Sequence, residues 1–165
     1  MKNKEDINKL EIFKKAIEIY DIVKAIADLI PHDNEILQDI KSQILTDAVT
    51  LRVKIAGAEA ADIYDIRMEN ASIIRKCARE LMIANHSLRD FGFKEYQYYD
   101  IVREKIEEFR LLFIEWVENF DTSNYHIDRW GLFNPLGVGP HDHDPDDDIP
   151  FDPDDFSDSD DDGFF

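Results

Sequence analysis

The sequence predicts an all-α fold, an antiparallel up-and-down four-helix bundle followed by a disordered acidic tail, and three observations predict it. Apolar residues recur at alternating spacings of three and four through four successive stretches before residue 121. The stretches are separated by helix-stopping residues, Pro31 and Phe91-Gly92-Phe93 among them. Charge is also divided along the chain: all 19 Lys and Arg lie at or before Arg129, and the residues from Trp130 onward contain 12 Asp and no base.

That division sets the organisation. The body carries 19 basic against 25 acidic residues, so two-thirds of the net charge of −18 sits in the last fifth of the chain. The whole-chain pI therefore says little about the folded surface. With 165 residues, 44% of them hydrophobic, there is room for one ordinary domain with a real core. The expected units are a four-helix bundle over 1–121, an aromatic-rich extension over 122–140 and a disordered acidic tail over 141–165.

The first helix is expected from Glu5 to Leu29. Leu10, Phe13, Ile17, Tyr20 and Ala27 form one stripe, and Ile12, Ile19, Ile22, Ile26 and Ile30 form a second beside it. Together they cover more of the circumference than a small bundle buries against itself, which predicts subunit contacts. Pro31 stops this helix, and Asp33 or Asn34 caps the next.

The second helix, from Glu35, carries Leu37, Ile40, Ile44, Ala48, Leu51, Ile55 and Ala58 as its seam. Small residues gather in Ala56–Ala61, where Gly57 can mark a break and Asp62 or Asp65 can cap the third helix. The third runs from Ile66 to about Arg89, with Ile66, Asn70, Ile73, Cys77, Leu81, Ala84, Leu88 and Phe91 as its apolar stripe and Gly92 as a left-handed cap. The fourth places Tyr98, Val102, Ile106, Phe109, Phe113, Trp116 and Phe120 on one face.

After Asp121 the helical pattern lapses. Tyr125, Ile127, Trp130, Leu132, Phe133, Leu136 and Val138 are too many large apolar groups for a solvated linker, so this extension is expected to lie on the bundle or in a neighbouring subunit. From His141 onward, sparse hydrophobic content and dense negative charge cannot offset the entropy of ordering a chain. Cys77, alone on an apolar stripe, reads as a buried, inert thiol. No apolar run has the length of a signal peptide or a membrane span, and a reducing cytoplasm with no membrane partner is expected.

The segments EIFKKAIEIYDIVKAIADLIP, SQILTDAVTLRVKIAGAEAA and ASIIRKCARELMIANHSLRDF together resemble the four-helix-bundle family encoded in intervening sequences of bacterial large-subunit ribosomal RNA genes. Within that group they are similar to the accessory variability proteins of diversity-generating retroelements. Ile55-Ala56-Gly57-Ala58-Glu59-Ala60 and the spacing of Leu81, Leu88 and Arg89 carry the likeness, which covers roughly residues 8–120 and is one of layout more than signature. The resemblance implies a non-enzymatic protein assembled as a ring of five, a homopentamer, whose retroelement members bind structured RNA and a reverse transcriptase through a basic surface. Two departures stand out: the body is net acidic, and the family's Asn-Ile-Ala-Glu-Gly-type close to helix two reads Lys54-Ile55-Ala56-Gly57-Ala58-Glu59.

Arg75, Lys76, Arg79 and Arg89, with Arg52 and Lys54 as additions, form a basic set suited to phosphates, since each neutralised phosphate releases a counterion. The plain alternative is a solvated face with intersubunit ion pairs. The tail repeats an acidic-aromatic unit: Asp146-Asp147-Asp148-Ile149-Pro150-Phe151, then Asp152 to Phe156, then Asp160 to Phe165. The first resembles the acidic tip of bacterial single-stranded-DNA-binding proteins. That likeness implies docking of Phe151, Phe156, Phe164 or Phe165 on a basic DNA-repair or replication partner. A solubilising tail and self-inhibition over Arg75 and Arg79 are the other readings.

No metal site and no cofactor are expected. Asp158 to Gly163 opens like a calcium loop but lacks the later ligands, and His141-Asp142-His143-Asp144 has no third anchored ligand. No glycine-rich phosphate loop, nucleophile elbow or Glu-x-x-His pair is present, so an enzyme is not expected. The resemblance together with the basic set implies an oligomeric accessory protein that binds a reverse transcriptase or structured RNA, its acidic tail docking on or competing for a second basic partner. The alternative is an adaptor or inhibitor with no nucleic-acid affinity.

Overall fold

In the computed structural model, which describes residues 3–150, the first amphipathic stretch is two helices rather than one. Helix α1 (Lys4–Lys9) is capped by Asn3, whose Oδ1 accepts from Asp6 N. Leu10 then turns extended, at φ −66° and ψ 130°, before α2 (Glu11–Ala27). The break leaves Ile7 and Ile12 both buried, which a straight continuation need not achieve.

Asn34, one of the two expected caps, accepts from Leu37 N at 3.0 Å and opens α3 (Glu35–Ala61). The helix runs through Gly57 without a break and stops at Asp62, whose φ of 52° is left-handed. Neither Asp62 nor Asp65 caps α4 (Tyr64–Asp90) with its side chain; Tyr64 N instead donates to Asn124 O at 2.8 Å. Gly92, at φ 90°, ends α4 as expected. A 3-10 turn, Tyr96–Tyr99, precedes α5 (Asp100–Glu118). No β-strand occurs among the described residues.

The four long helices form a closed bundle in which α2 and α4 each pack on α3 and α5. Cross-links fix the directions. Asn34, opening α3, donates to Phe91 O at the end of α4, while Lys15 pairs with Glu108 and Glu18 with Lys105 between α2 and α5, so these neighbours are antiparallel. Those four charges form a ring in which each lysine meets both glutamates, holding the lysines above and the glutamates below their ordinary pKa values. The core includes Ile19, Ile44, Leu51, Ile55, Ile74 and Leu81, all fully buried. Along α5 and just past its end, Phe113, Trp116 and Phe120 follow one another, the last pair edge-to-face at 4.8 Å.

The buried face of α4 coincides with the expected stripe at Cys77, Leu81 and Leu88 and departs from it before Cys77 and at Phe91. Ile66 and Phe91 are exposed, and Arg67, Ala71, Ile74, Cys77, Leu81 and Leu88 face inward. Arg67 sits inward with its guanidinium 2.7 Å from Glu59. No helix among the described residues is long and apolar enough to cross a membrane.

Residues 122–150 form a lobe at the α3–α4 turn. Asn124 donates to Asp62 O, His126 N donates to Asp65 Oδ1 at 3.2 Å, and Ile127 is buried. The first ten residues assigned to the tail belong to this lobe: Arg129 donates to the carbonyls of Pro140 and Asp142, and Ile127 N to Asp144 Oδ2.

Candidate interaction groove

Two helical repeats meet along α4 and α5. Arg75, Ala78, Arg79 and Met82 recur at i, i+3, i+4 and i+7 on α4, and Ile106, Phe109, Arg110, Phe113 and Ile114 recur in the same way on α5. Side chains so spaced share one face of their helix, and between the two faces lies an open groove of about 360 Å³. Ala78, Met82, Ile106, Phe109, Phe113 and Ile114 make its floor apolar. Arg75, Arg79 and Arg110 stand on its rim with Glu107.

The rim is electrostatically uneven. Arg110 Nε donates to Glu107 at 3.0 Å, one turn away on the same helix. Arg75 and Arg79, both exposed, make no ion pair among the described residues. Arg75 and Arg79 also border a second depression on the outer side of α4, together with Lys76, Glu80, Met82 and Ile83. Lys76 is paired with Glu80 at 3.3 Å.

Of the six basic residues picked out by sequence, the structure brings three together. Arg75, Lys76 and Arg79 share one stretch of α4, whereas Arg89 lies ten residues past Arg79, roughly 15 Å along the helix, and pairs with Asp90. Arg52 points to α2 instead, its guanidinium 4.9 Å above the Tyr20 ring, and Lys54 is a half-buried residue of α3 outside the groove. Sequence reading missed Arg110 and the apolar floor. The signal was the i, i+3, i+4 repeat on α5, read only as core.

The acidic triplet expected to dock on a partner is engaged within the lobe. Asp146, Asp147 and Asp148 lie in a 3-10 turn (Pro145–Asp148). Arg129 Nη2 donates to Asp147 at 3.2 Å, His143 Nε2 lies 2.8 Å from Asp148, and His126 Nδ1 lies 3.5 Å from Asp146. Ile149 and Pro150 are exposed. Phe151, Phe156, Phe164, Phe165 and the calcium-loop-like run Asp158 to Gly163 lie outside the described residues.

One loop of the lobe is built to hold its backbone and expose its side chains. Asp128 accepts from Trp130 N, Leu132 N and Phe133 N at 2.7–2.9 Å, and Asn134 closes the turn by accepting from Asp128 N and donating to Asp128 O. These amides, Phe133's foremost, hold the Asp128 carboxyl below its ordinary pKa. Yet Trp130 is 92% exposed, Leu132 75% and Leu136 104%.

The core holds one further polar cluster. Burial raises the pKa of Asp47, which accepts from Gln43 Nε2 at 3.1 Å, and burial pushes the Cys77 thiol up to about 11. A thiol protonated at neutral pH is a poor nucleophile. Among the described residues, no group of three or more His, Cys, Asp or Glu is placed to hold a metal ion. No protein-family model matches the chain, and no match is found among curated proteins or solved structures.

Proposed function

We propose that this chain is a non-enzymatic interaction protein whose α4–α5 groove takes an acidic segment carrying an aromatic or aliphatic anchor. The observation that carries this is the pairing of an apolar floor with Arg75 and Arg79, two exposed guanidinium groups that make no ion pair among the described residues. Apolar contact area supplies affinity, and unpaired charge at the rim selects an anionic neighbour and speeds encounter. A protein segment offers both in one strand.

The test is titration of a labelled peptide, DDDIPFDPDDF, into the full chain, read by fluorescence anisotropy. Combined Arg75→Glu and Arg79→Glu is expected to weaken binding at least tenfold, and Met82→Lys to do the same by filling the floor with charge. Binding unchanged in both variants would overturn the reading.

A second reading is favoured by Lys76 standing beside the two arginines on the exposed side of α4, and by the resemblance to retroelement accessory proteins. In it the chain serves, in a cytoplasmic setting, a nucleic-acid-handling partner, a reverse transcriptase or a structured RNA, as part of a homo-oligomeric ring. Binding of a structured RNA that falls steeply with salt, and is lost with Arg75→Glu and Arg79→Glu, would support it; no binding at low salt would remove it.

A further inference from the structure

The exposed loop at Asp128–Leu136 and the groove on α4–α5 are complementary in three respects. The first is apolar character. Trp130, Leu132 and Leu136 project from a backbone tied by five hydrogen bonds of the Asp128 and Asn134 side chains, and Ile149 is exposed in the same lobe. Large apolar side chains presented to water on a tied loop mark an interaction site, and tryptophan is the anchor such sites use most.

The second is charge. Asp142, Asp146, Asp147 and Asp148 are exposed in the lobe, with Arg129, His126 and His143 as their local partners, so it is net acidic. The groove rim is net basic through Arg75, Arg79 and Arg110 against Glu107.

The third is position. The lobe sits at the α3–α4 turn, where His126 N meets Asp65, whereas Arg75 is ten residues along α4 from Asp65 and Met82 seventeen, roughly 15 Å and 25 Å at 1.5 Å per residue. Held by the Asp128 turn, Trp130 is 92% exposed and so is not seated in its own groove.

From these observations we infer that the Trp130 loop of one molecule occupies the α4–α5 groove of a second copy of this chain, its tryptophan on the Met82–Phe113 floor and its aspartates facing Arg75 and Arg79. Because loop and groove are different surfaces, each molecule gives its loop to one neighbour and its groove to another. Such a contact is head-to-tail, and it builds an open chain or a closed ring. This rests on the reading of the groove as a site for an acidic, apolar-anchored segment and names that segment.

Sedimentation velocity on the full chain tests it through two variants and their mixture. Wild-type protein is expected to self-associate at micromolar concentration. Trp130→Ala combined with Leu132→Ala, at positions too exposed to carry folding, is expected to weaken association at least tenfold, and Arg75→Glu with Arg79→Glu to do the same. Mixed at equal amounts, the loop variant still has an intact groove and the groove variant an intact loop, so the mixture is expected to stop at a dimer that neither forms alone.

A monomeric wild type, or a loop variant that associates like wild type, overturns the inference. So does loss of association on replacing Phe156, Phe164 and Phe165 by Ala with Trp130 intact, since those phenylalanines would then be the occupant. Peptide anisotropy on the same groove variants separates the two claims: peptide binding lost with self-association untouched sinks this inference alone, and both untouched sinks the groove reading as well.

Discussion

Arg67 reaches back across the α3–α4 turn and donates from Nη2 to Glu59 Oε1 at 2.7 Å, an ion pair with both residues buried. Trp116 Nε1, from α5, donates to the same oxygen at 2.6 Å, and the Arg67 guanidinium lies 4.1 Å above the Phe120 ring while also meeting Asp62. One carboxylate thus joins α3, α4 and α5 at the end of the bundle that bears the lobe.

A buried pair of this kind costs desolvation on both sides, so deleting one member is worse than deleting both. Arg67→Met is expected to destabilise the fold by about 3 kcal/mol, and Trp116→Phe by about 1–2 kcal/mol through loss of a charged hydrogen bond. Combining Arg67→Met with Glu59→Leu is expected to recover much of the first loss. Urea unfolding of the three variants decides it. A double variant no more stable than Arg67→Met alone would mean that the pair is a net stabiliser and the desolvation argument is wrong.

The same cluster shows what the sequence made legible and what it did not. Four amphipathic stretches and their stops were readable because burial imposes the helical period, and Asn34 and Gly92 act as their chemistry requires. Arg67 was not readable as a buried residue. Its partner Glu59 lies on another helix and Phe120, whose ring its guanidinium covers, lies past the end of a third, and only the packing of three helices makes a buried charge tolerable. The Leu10 break was equally hidden, since the apolar stripe continues across it and no proline or glycine marks the place. Arg75, Lys76 and Arg79 were found because one helix carries them, whereas Arg110 joins the rim only through α4–α5 contact.

Asp47 faces the opposite situation, a buried carboxyl with hydrogen bonds from neutral groups in place of a cation. Burial raises its pKa, so the protonated form is favoured in the fold and the charged form costs stability at neutral pH. The sign follows: a raised carboxyl pKa contributes stability below the unfolded value of 3.8 that is lost as pH climbs through the folded value. Asp47→Asn keeps an acceptor for Gln43 without the charge. It is expected to raise the thermal midpoint at pH 7 and to match wild type near pH 3. A variant less stable than wild type at pH 7 would mean the carboxylate has a stabilising role of its own.

Asp128 titrates with the opposite sign because its carboxylate is what the loop amides need. Hydrogen bonds from Phe133, Trp130 and Leu132 lower its pKa, so the charged form supports the loop above the ordinary aspartate value of 3.8 and the support fades as pH falls through the lowered one. Asp144, capping the Pro145–Asp148 turn through Asp146 N and also accepting from Ile127 N, is lowered in the same direction. The lobe is therefore expected to keep its form from pH 7 to below 4 and to loosen only under stronger acid. Asp128→Ala is expected to loosen it at every pH, speeding hydrogen exchange at the Leu132 and Phe133 amides at least tenfold while amides of Ile74 and Leu81 in the core stay protected. Exchange measured residue by residue by NMR distinguishes the cases. Protected Leu132 and Phe133 amides in the alanine variant would show that something other than this carboxylate shapes the loop and presents Trp130.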